Sequence, residues 1–220
     1  MAKNRTMALM PERKIIDISL SLKPAMIAYP GNPEFEISRV QDIDCGASSN
    51  VSKITLGSHT GTHIDAPLHS IKNGAPIERL SLDCFFGPSR VIDATNEEGS
   101  VSLSFVESKG IQKRERILFK TKNSLLGFDT WRDDFVFLSP EASEYLAKLE
   151  VALVGIDYLS IKQKGSKDNR PHTEFLSLNI PILEGIDLSL AEEGEYILAA
   201  LPLKIENGDG APARAVLIAK

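Results

Sequence analysis

Residues 59–69 bring together side chains that bind metal ions and carry protons. The segment reads HTGTHIDAPLH, so three of the chain's four histidines and one aspartate fall within eleven residues. The fourth histidine, His172, precedes Glu184 by twelve residues, and that glutamate is an isolated acid in an apolar run. Imidazole and carboxylate groups are the usual ligands of zinc, manganese and iron, and neutral imidazole is a common general base near pH 7. The first hypothesis is therefore a metal-dependent enzyme.

The spacing of His59, His63 and Asp65 restricts the backbone that could hold them at one ion. In an extended strand His59 and His63 would lie about 13 Å apart, too far for two ligands that each approach an ion to about 2 Å. A helix would bring them together, but Gly61 and its flanking threonines disfavour one. A tight turn is the better solution. Gly57 and Gly61 can take φ angles closed to other residues and allow the backbone to approach an ion closely.

Asp65 and His69 are predicted to have different tasks beyond the turn. Asp65 is a candidate N-cap for a short helix with Ala66 and Pro67 in its first turn, and its two oxygens could bridge two ions. His69 would then lie about one helical turn further on. There it would be beside the metal but point differently from the two preceding histidines. That position suits a base or proton shuttle better than a ligand.

Two other kinds of protein are compatible with parts of this pattern. A metal-binding module without catalysis would keep the ligands for stability, but it would have no need of His69. A thiol-dependent enzyme using Cys84 has little support, because no histidine motif surrounds that residue. Cys45 and Cys84 have no CxxC spacing and are predicted to be reduced thiols in or near the core, with a disulfide or a metal thiolate as the alternatives. The Glu of the HExxH metalloproteases is missing, so that class is excluded.

Composition and charge narrow the class of protein further. The 220 residues are 42% hydrophobic and 25% charged, which is compatible with one domain over residues 1–220 and a continuous core. The net charge of −5 argues against a nucleic-acid partner, which needs a basic surface. Residues 1–14 contain no apolar signal segment, and no apolar stretch approaches the roughly 20 residues that span a bilayer. We therefore expect a cytoplasmic protein with no membrane partner and with flexible residues 1–13.

The hydrophobic pattern predicts many short strands and two helices. Alternation is cleanest at 51–56, and Ser139 followed by Pro140 is a typical helix start. The helix at 139–149 leads directly into a strand at 151–156, as in layered α/β proteins. The second predicted helix is 102–109. The other predicted strands are 15–22, 90–94, 116–121, 180–183, 196–203 and 215–218.

The block HTGTHIDAPLH resembles the signature of the metal-dependent cyclase family, which includes bacterial kynurenine formamidases and isatin hydrolases. The resemblance extends over roughly residues 15–218. It implies a layered α/β domain with a barrel-like mixed β core and flanking helices, of the swivelling β/β/α type, and a homodimer or higher oligomer. Further matching pieces are Tyr29-Pro30-Gly31-Asn32, residues 154–160 (VGIDYLS), residues 201–203 (LPL) and residues 210–215 (GAPARA).

The resemblance also implies a role for each residue of the site. His69 matches the family's catalytic acid/base. The cofactors would be one or two divalent ions, zinc or manganese. The implied ligands are His59, His63 and Asp65 on one ion and His172 on a second, with Asp65 bridging the two and Glu184 contacting both.

The implied activity is hydrolysis of a C–N amide bond in a small-molecule substrate. An aryl formamide resembling N-formylkynurenine is the first candidate, and a cyclic amide such as isatin, or a lactone, is the alternative. Tyr29 is the candidate substrate-binding residue, because it stands where formamidases of this type have a Trp that packs on the aromatic substrate.

Overall fold

Strands dominate residues 14–219, which are the residues that the computed structural model describes. Residues 1–13, for which the sequence predicts flexibility, lie outside this range. Thirteen strands and four short α-helices occur within it. The helices are α1 (Leu103–Ser108), α2 (Lys122–Leu126), α3 (Pro140–Lys148) and α4 (Arg170–Leu176). The strands are β1 (Ile15–Asp17), β2 (Glu36–Gln41), β3 (Val51–Thr55), β4 (His63–Asp65), β5 (Phe86–Asp93), β6 (Ser100–Val101), β7 (Arg116–Lys120), β8 (Phe137–Leu138), β9 (Leu153–Ile156), β10 (Ile182–Glu184), β11 (Gly194–Ala199), β12 (Gly210–Pro212) and β13 (Val216–Ala219).

Nine of these strands form one mixed sheet in the order β1-β13-β11-β5-β7-β9-β10-β4-β12. The central strands β5, β7, β9 and β10 run parallel, and the pairings on either side of them are antiparallel. Ile16 of β1 and Ala211 of β12 lie at opposite edges of the sheet, yet both belong to one buried cluster. The sheet therefore curls into a half-barrel with few flanking helices. This confirms the α/β class with a barrel-like mixed core.

Alternation along the central strands fills a core on each face of the sheet. In β7, Ile117 and Phe119 point to one face and Leu118 points into the half-barrel, and all three are fully buried. Three helices cover the outer face, and each contributes an apolar side chain. Those side chains are Val106 of α1, Leu146 of α3 and Phe175 of α4.

Helices α1, α3 and α4 make the crossovers that parallel strands require, between β5 and β7, β7 and β9, and β9 and β10. The two predicted helices are confirmed, and so is the predicted Ser139 cap; Ser102 caps the other helix. The hydroxyl of Ser102 accepts from the backbone N–H of Phe105, and that of Ser139 accepts from Ala142. Among residues 14–219, no helix is long and apolar enough to cross a membrane.

Several elements differ from the pattern-based prediction. The predicted strand 15–22 is regular only over Ile15–Asp17, and the predicted strand 196–203 runs over Gly194–Ala199. Five strands and two helices were not predicted at all, namely β2, β4, β6, β8, β12, α2 and α4. β4 and β12 have three residues each, too few to display alternation, and their hydrogen bonds come from sheet neighbours distant in the chain.

Asp157 is a fully buried acid that follows β9 and orders the start of α2. Its carboxylate accepts hydrogen bonds from the backbone N–H groups of Thr121 at 2.8 Å and Ser124 at 3.1 Å. The Thr121 hydroxyl donates a third bond at 2.7 Å. These bonds tie together the carboxyl ends of the neighbouring strands β7 and β9. The chain that leaves β9 there continues to the candidate site.

Replacing Asp157 with Asn should destabilise the fold. The amide group would turn a donor toward backbone N–H groups, and leaving such a buried donor unsatisfied costs about 1–3 kcal/mol. Denaturant unfolding followed by circular dichroism measures the change. Asp133→Asn makes the same chemical change at an exposed residue and should leave stability nearly unchanged. Equal effects of the two substitutions would contradict a special role for the Asp157 network.

Candidate metal centre

Strand pairing places three of the predicted ligands on one face of the sheet. In the antiparallel pair β4 and β10, His63 lies opposite Glu184 and Asp65 lies opposite Ile182. Opposed residues, and residues two apart in a strand, point to the same side, while Ile64 between them points into the half-barrel. As a result Nε2 of His63 lies 3.4 Å from Oδ1 of Asp65 and 3.5 Å from Oε2 of Glu184.

Helix α4 carries His172 to the same face. Pro171 occupies the first turn of this helix, where a missing N–H costs nothing. Nε2 of His172 lies 3.6 Å from Oδ2 of Asp65 and 3.5 Å from Oε1 of Glu184. Each carboxylate therefore turns one oxygen toward His63 and the other toward His172. In this arrangement a carboxylate could bridge two ions.

His59 reaches the cluster from the turn between β3 and β4. Gly61 has a φ of 62°, in the left-handed region, as the sequence predicts. Gly57 does not use the same freedom: its φ is outside the left-handed region, and a Cβ there would lie 3.1 Å from Cδ of Pro33. The rings of His59 and His63 lie edge to face with centroids 5.0 Å apart. Nδ1 of His59 lies 2.7 Å from Oδ1 of Asp65.

The predicted capping role of Asp65 was also wrong. The short 3₁₀ helix Pro67–His69 begins after Ala66, which makes no side-chain capping bond. Asp65 instead ends β4, which pairs with β10 on one side and β12 on the other. These pairings hold its carboxylate on the face that carries the histidines.

The buried charges of the cluster shift one another's protonation. Burial opposes a charged ring at His63, but the adjacent carboxylates of Asp65 and Glu184 outweigh it and raise the pKa of His63 to about 10. Burial and the neighbouring charge of Asp65 oppose ionisation of Glu184, yet His172 and His63 lower the pKa of Glu184 to about 2. Burial likewise disfavours the charged form of Asp65, but His59 and His63 hold the pKa of Asp65 well below its usual value. The two carboxylates are thus ionised and need positive charge beside them.

The residues fit a divalent ion. Nε2 of His63 and Oδ2 of Asp65 are buried and have no hydrogen-bond partner, although nearly all buried polar groups have one. Nδ1 of His63 lies 2.9 Å from the carbonyl oxygen of Gly61, which fixes the ring so that Nε2 faces the carboxylates. Imidazole and carboxylate donors oriented in this way suit zinc and manganese.

His69 differs from the other histidines in exposure and charge. Its side chain is 31% exposed, against 14% for His59, 9% for His172 and 1% for His63. Burial, together with repulsion from His59 and His172, lowers the pKa of His69 despite nearby Asp65. The His69 and His59 ring centroids are 4.1 Å apart. A neutral imidazole therefore stands between the cluster and solvent.

A cavity of about 220 Å³ opens onto the cluster. All four histidines and Glu184 line it. Tyr29, the predicted substrate-binding residue, lines it as well, with Leu159 as an aliphatic neighbour. The Tyr29 ring packs edge to face on Trp131, with centroids 5.3 Å apart. The cavity therefore has a polar, ligand-rich side and an aromatic side.

Asp209 is a member of the site that the sequence did not reveal. Its Oδ2 lies 3.1 Å from Nε2 of His59 and 3.9 Å from Nδ1 of His69. Gly210 beside it has no room for a side chain, since a Cβ would lie 2.9 Å from Cε1 of His59. The one available signal was the matching piece at 210–215, which begins immediately after this acid. Nothing in the spacing links Asp209 to a histidine 150 residues away.

Both cysteines are free and neither lines the cavity. Cys45 is exposed, so its predicted placement in or near the core was wrong, and Cys84 is half-buried. Burial raises the pKa of the Cys84 thiol. A thiol kept protonated and apart from the histidines does not support a thiol-dependent enzyme.

Comparisons with known proteins agree with this site. Residues 16–163 match the family model Cyclase, described as "Putative cyclase". The chain is 37% identical over 206 residues to the kynurenine formamidase of Erythrobacter litoralis, covering 94% of each chain. It is 39% identical over 204 residues to the kynurenine formamidase of Salinibacter ruber, covering 92% of this chain and 96% of that one.

Solved structures share the fold. A predicted metal-dependent hydrolase from Bacillus stearothermophilus superposes with a TM-score of 0.84 at 32% identity, covering 95% of this chain and 100% of that one. Isatin hydrolase A from Ralstonia solanacearum superposes with a TM-score of 0.82 at 24% identity, covering 94% and 92%. Fold, site and relatives together define a metal-dependent amide hydrolase. The chain belongs to the Cyclase family.

Removing the carboxylate of Asp209 should weaken metal binding, because the acceptor that orients His59 is lost. Loss of such a supporting group typically costs about 10–100-fold in metal affinity. We expect this for Asp209→Ala and a smaller loss for Asp209→Asn, which keeps an acceptor oxygen. Competition with a chromophoric chelator measures the affinity.

The matched control is Glu206→Ala, which removes an exposed acid three residues earlier and should change nothing. If the Ala variants at 206 and 209 bind metal equally well, Asp209 does not support the site.

Proposed function

We propose that this amide hydrolase cleaves an aryl formamide resembling N-formylkynurenine. The observation that carries the proposal is a buried cluster of metal-binding groups with one neutral, partly exposed histidine beside it. Potential ligand atoms of His69, His59 and Asp65 lie close together, but His69 is the most exposed of the histidines. A module that bound metal only for stability would have no use for such a residue.

The metal site would be built from side chains of one sheet face, one turn and one helix. One or two divalent ions, zinc or manganese, would bind there. When bound, a divalent ion polarises the amide carbonyl and lowers the pKa of water toward about 7. The proposed ligands are His59, His63, Asp65, His172 and Glu184.

His69 would carry the proton. Its lowered pKa keeps the ring neutral near pH 7, so it can accept the proton of the attacking water and return it to the leaving nitrogen. Nδ1 lies toward Asp209, at 3.9 Å, which leaves Nε2 as the nitrogen for the transfer. The carboxylate of Asp209 would then stabilise the imidazolium that forms during the reaction.

The size and lining of the cavity support an aryl formamide. A benzene ring fits a cavity of about 150 Å³, so 220 Å³ admits a ring together with a formamide group. Tyr29 offers an aromatic face, and Trp131 behind it restricts its movement. Two curated relatives are kynurenine formamidases. The isatin hydrolase likeness, at 24% identity, concerns the fold, so cyclic amides serve as comparison substrates.

We further propose that the chain is a single domain that works as a homodimer. One sheet extends from Ile15 to Ala219, and the two large buried clusters pack on its two faces, which supports a single domain. The hairpin of β2 and β3 is separate from that sheet, and every residue of its strands is exposed. An isolated hairpin is marginally stable at best, so a second copy of the chain would complete it. Its exposed apolar residues are Ile37, Val40, Ile43, Val51 and Ile54.

Replacing His69 with Asn should separate chemistry from metal binding. Turnover of N-formylkynurenine should fall by about 10²–10⁴-fold because the proton carrier is lost, while metal content stays the same. Asp65→Asn should lose both. Assays with N-formylkynurenine and isatin side by side, and metal analysis by mass spectrometry, measure the two effects.

If His69→Asn loses its metal, His69 is a ligand and the assigned role is wrong. If the metal-loaded wild type hydrolyses neither compound, the named substrates are wrong.

Charging the hairpin should break the dimer. Ile37 lies directly opposite Ile54, and both side chains are about half exposed, so Ile37→Asp would place a charge in the middle of the apolar patch. Light scattering after size exclusion should show a dimer for the wild type and a monomer for this variant. Ser38→Asp charges the opposite side of the strand and should remain dimeric. A monomeric wild type would contradict the proposed assembly.

A further inference from the structure

Lys162 is the one lysine or arginine among the described residues that line the cavity over the cluster. Its position is closely tied to the site. The preceding residue, Ile161, donates its backbone N–H to Oε1 of Glu184 at 2.6 Å. The Lys162 backbone N–H is held in turn by the hydroxyl of Ser160, at 3.2 Å. A cation therefore stands at the cavity wall on a segment anchored to the cluster.

Among the residues that the structure describes, the hydrogen-bond partner of the Lys162 ammonium group is neutral. Nζ donates to Oδ1 of Asn169 at 3.1 Å, and within residues 14–219 no carboxylate oxygen lies within salt-bridge distance of it. The neighbouring cations are paired, since Lys164 and Arg170 contact carboxylates at 2.6 and 2.7 Å. Lys162 contributes to lowering the pKa of Asp168, but the ion-pair partner of that carboxylate is Arg170. The positive charge of Lys162 is thus left without a counter-ion at the cavity.

Asn169 adds a second donor at the same place. A lysine can only donate, so the atom of Asn169 facing it must be the amide oxygen. The amide nitrogen then remains able to donate, and Asn169 also lines the cavity. The backbone carbonyl oxygen of Asn169 accepts a hydrogen bond from the backbone N–H of His172 at 3.0 Å, which fixes Asn169 relative to the cluster. An ammonium and an amide N–H side by side match the two oxygens of a carboxylate.

We propose that Lys162 and Asn169 bind a carboxylate carried by the amide substrate. This inference rests on the proposed function and narrows it to aryl formamides that bear an acidic side chain. The formamide would lie at the cluster, the ring against Tyr29 and the carboxylate at Lys162. In a protein of net charge −5, an unpaired ammonium in the cavity is the feature that would select an anion.

A matched pair of substrates tests the proposal. N-formylkynurenine carries a carboxylate, and its methyl ester replaces that carboxylate with a neutral ester group. Lys162→Met should lower kcat/KM for the acid by about 10–100-fold, mainly through KM, and change that for the ester by no more than about threefold. Lys162→Arg should retain part of the activity on the acid. The control Lys167→Met removes the same charge from an exposed residue that does not line the cavity and should change neither substrate.

A binding measurement separates this proposal from the proposed function. Calorimetry on the metal-loaded protein should give tighter binding of kynurenine than of its methyl ester to the wild type, and equal binding to Lys162→Met. If the wild type binds acid and ester alike, or if the substitution slows both substrates equally, the carboxylate assignment is overturned. If the wild type discriminates in binding but hydrolyses neither formamide, the carboxylate site stands and the formamidase proposal falls.

Discussion

The burial of two carboxylates side by side is the constraint on which this structure depends. Asp65 is fully buried and Glu184 is 3% exposed, and they lie on neighbouring strands. A buried carboxylate left unpaired costs several kcal/mol, of order 5 or more, so the fold must hold positive charge next to both. Histidines supply part of it as protonated rings, and a divalent ion can replace those protons. The requirement for a cation is thus built into the folded state.

Strand register keeps this arrangement in place. A slip of one residue between β4 and β10 would turn His63 and Asp65 into the half-barrel and bring Ile64 to the metal side. The backbone segments next to β4 and β10 also pack closely against each other. The hydroxyl of Thr62 donates to the carbonyl oxygen of Gly185, and a Cβ at Gly185 would overlap the carbonyl oxygen of Gly61. Metal binding and β-sheet packing are therefore parts of one structure.

Local sequence allowed much of this site to be predicted, and tertiary contacts account for what was missed. The block at 59–69 could be predicted as a metal site because its histidines and aspartate are metal-binding residue types and lie close together in sequence. β4 could not be predicted as a strand, because three residues are too few to show an alternating pattern. Asp209 was missed because β-sheet pairing brings it to His59 from 150 residues away. Lys162 was missed because it lies in a loop, where no periodic pattern marks a residue that lines the cavity. The fold class followed from the resemblance, whereas the order of the nine strands depends on long-range pairing that no local pattern encodes.

Metal binding at the buried carboxylates can be measured by anomalous X-ray diffraction from crystals loaded with zinc or manganese, recorded on both sides of the metal's absorption edge. We expect a strong anomalous peak between His63, Asp65, His172 and Glu184, at about 2.0–2.3 Å from their nitrogen and oxygen atoms. A site with no peak there, or with the metal bound only at other residues while the enzyme is active, would contradict this expectation.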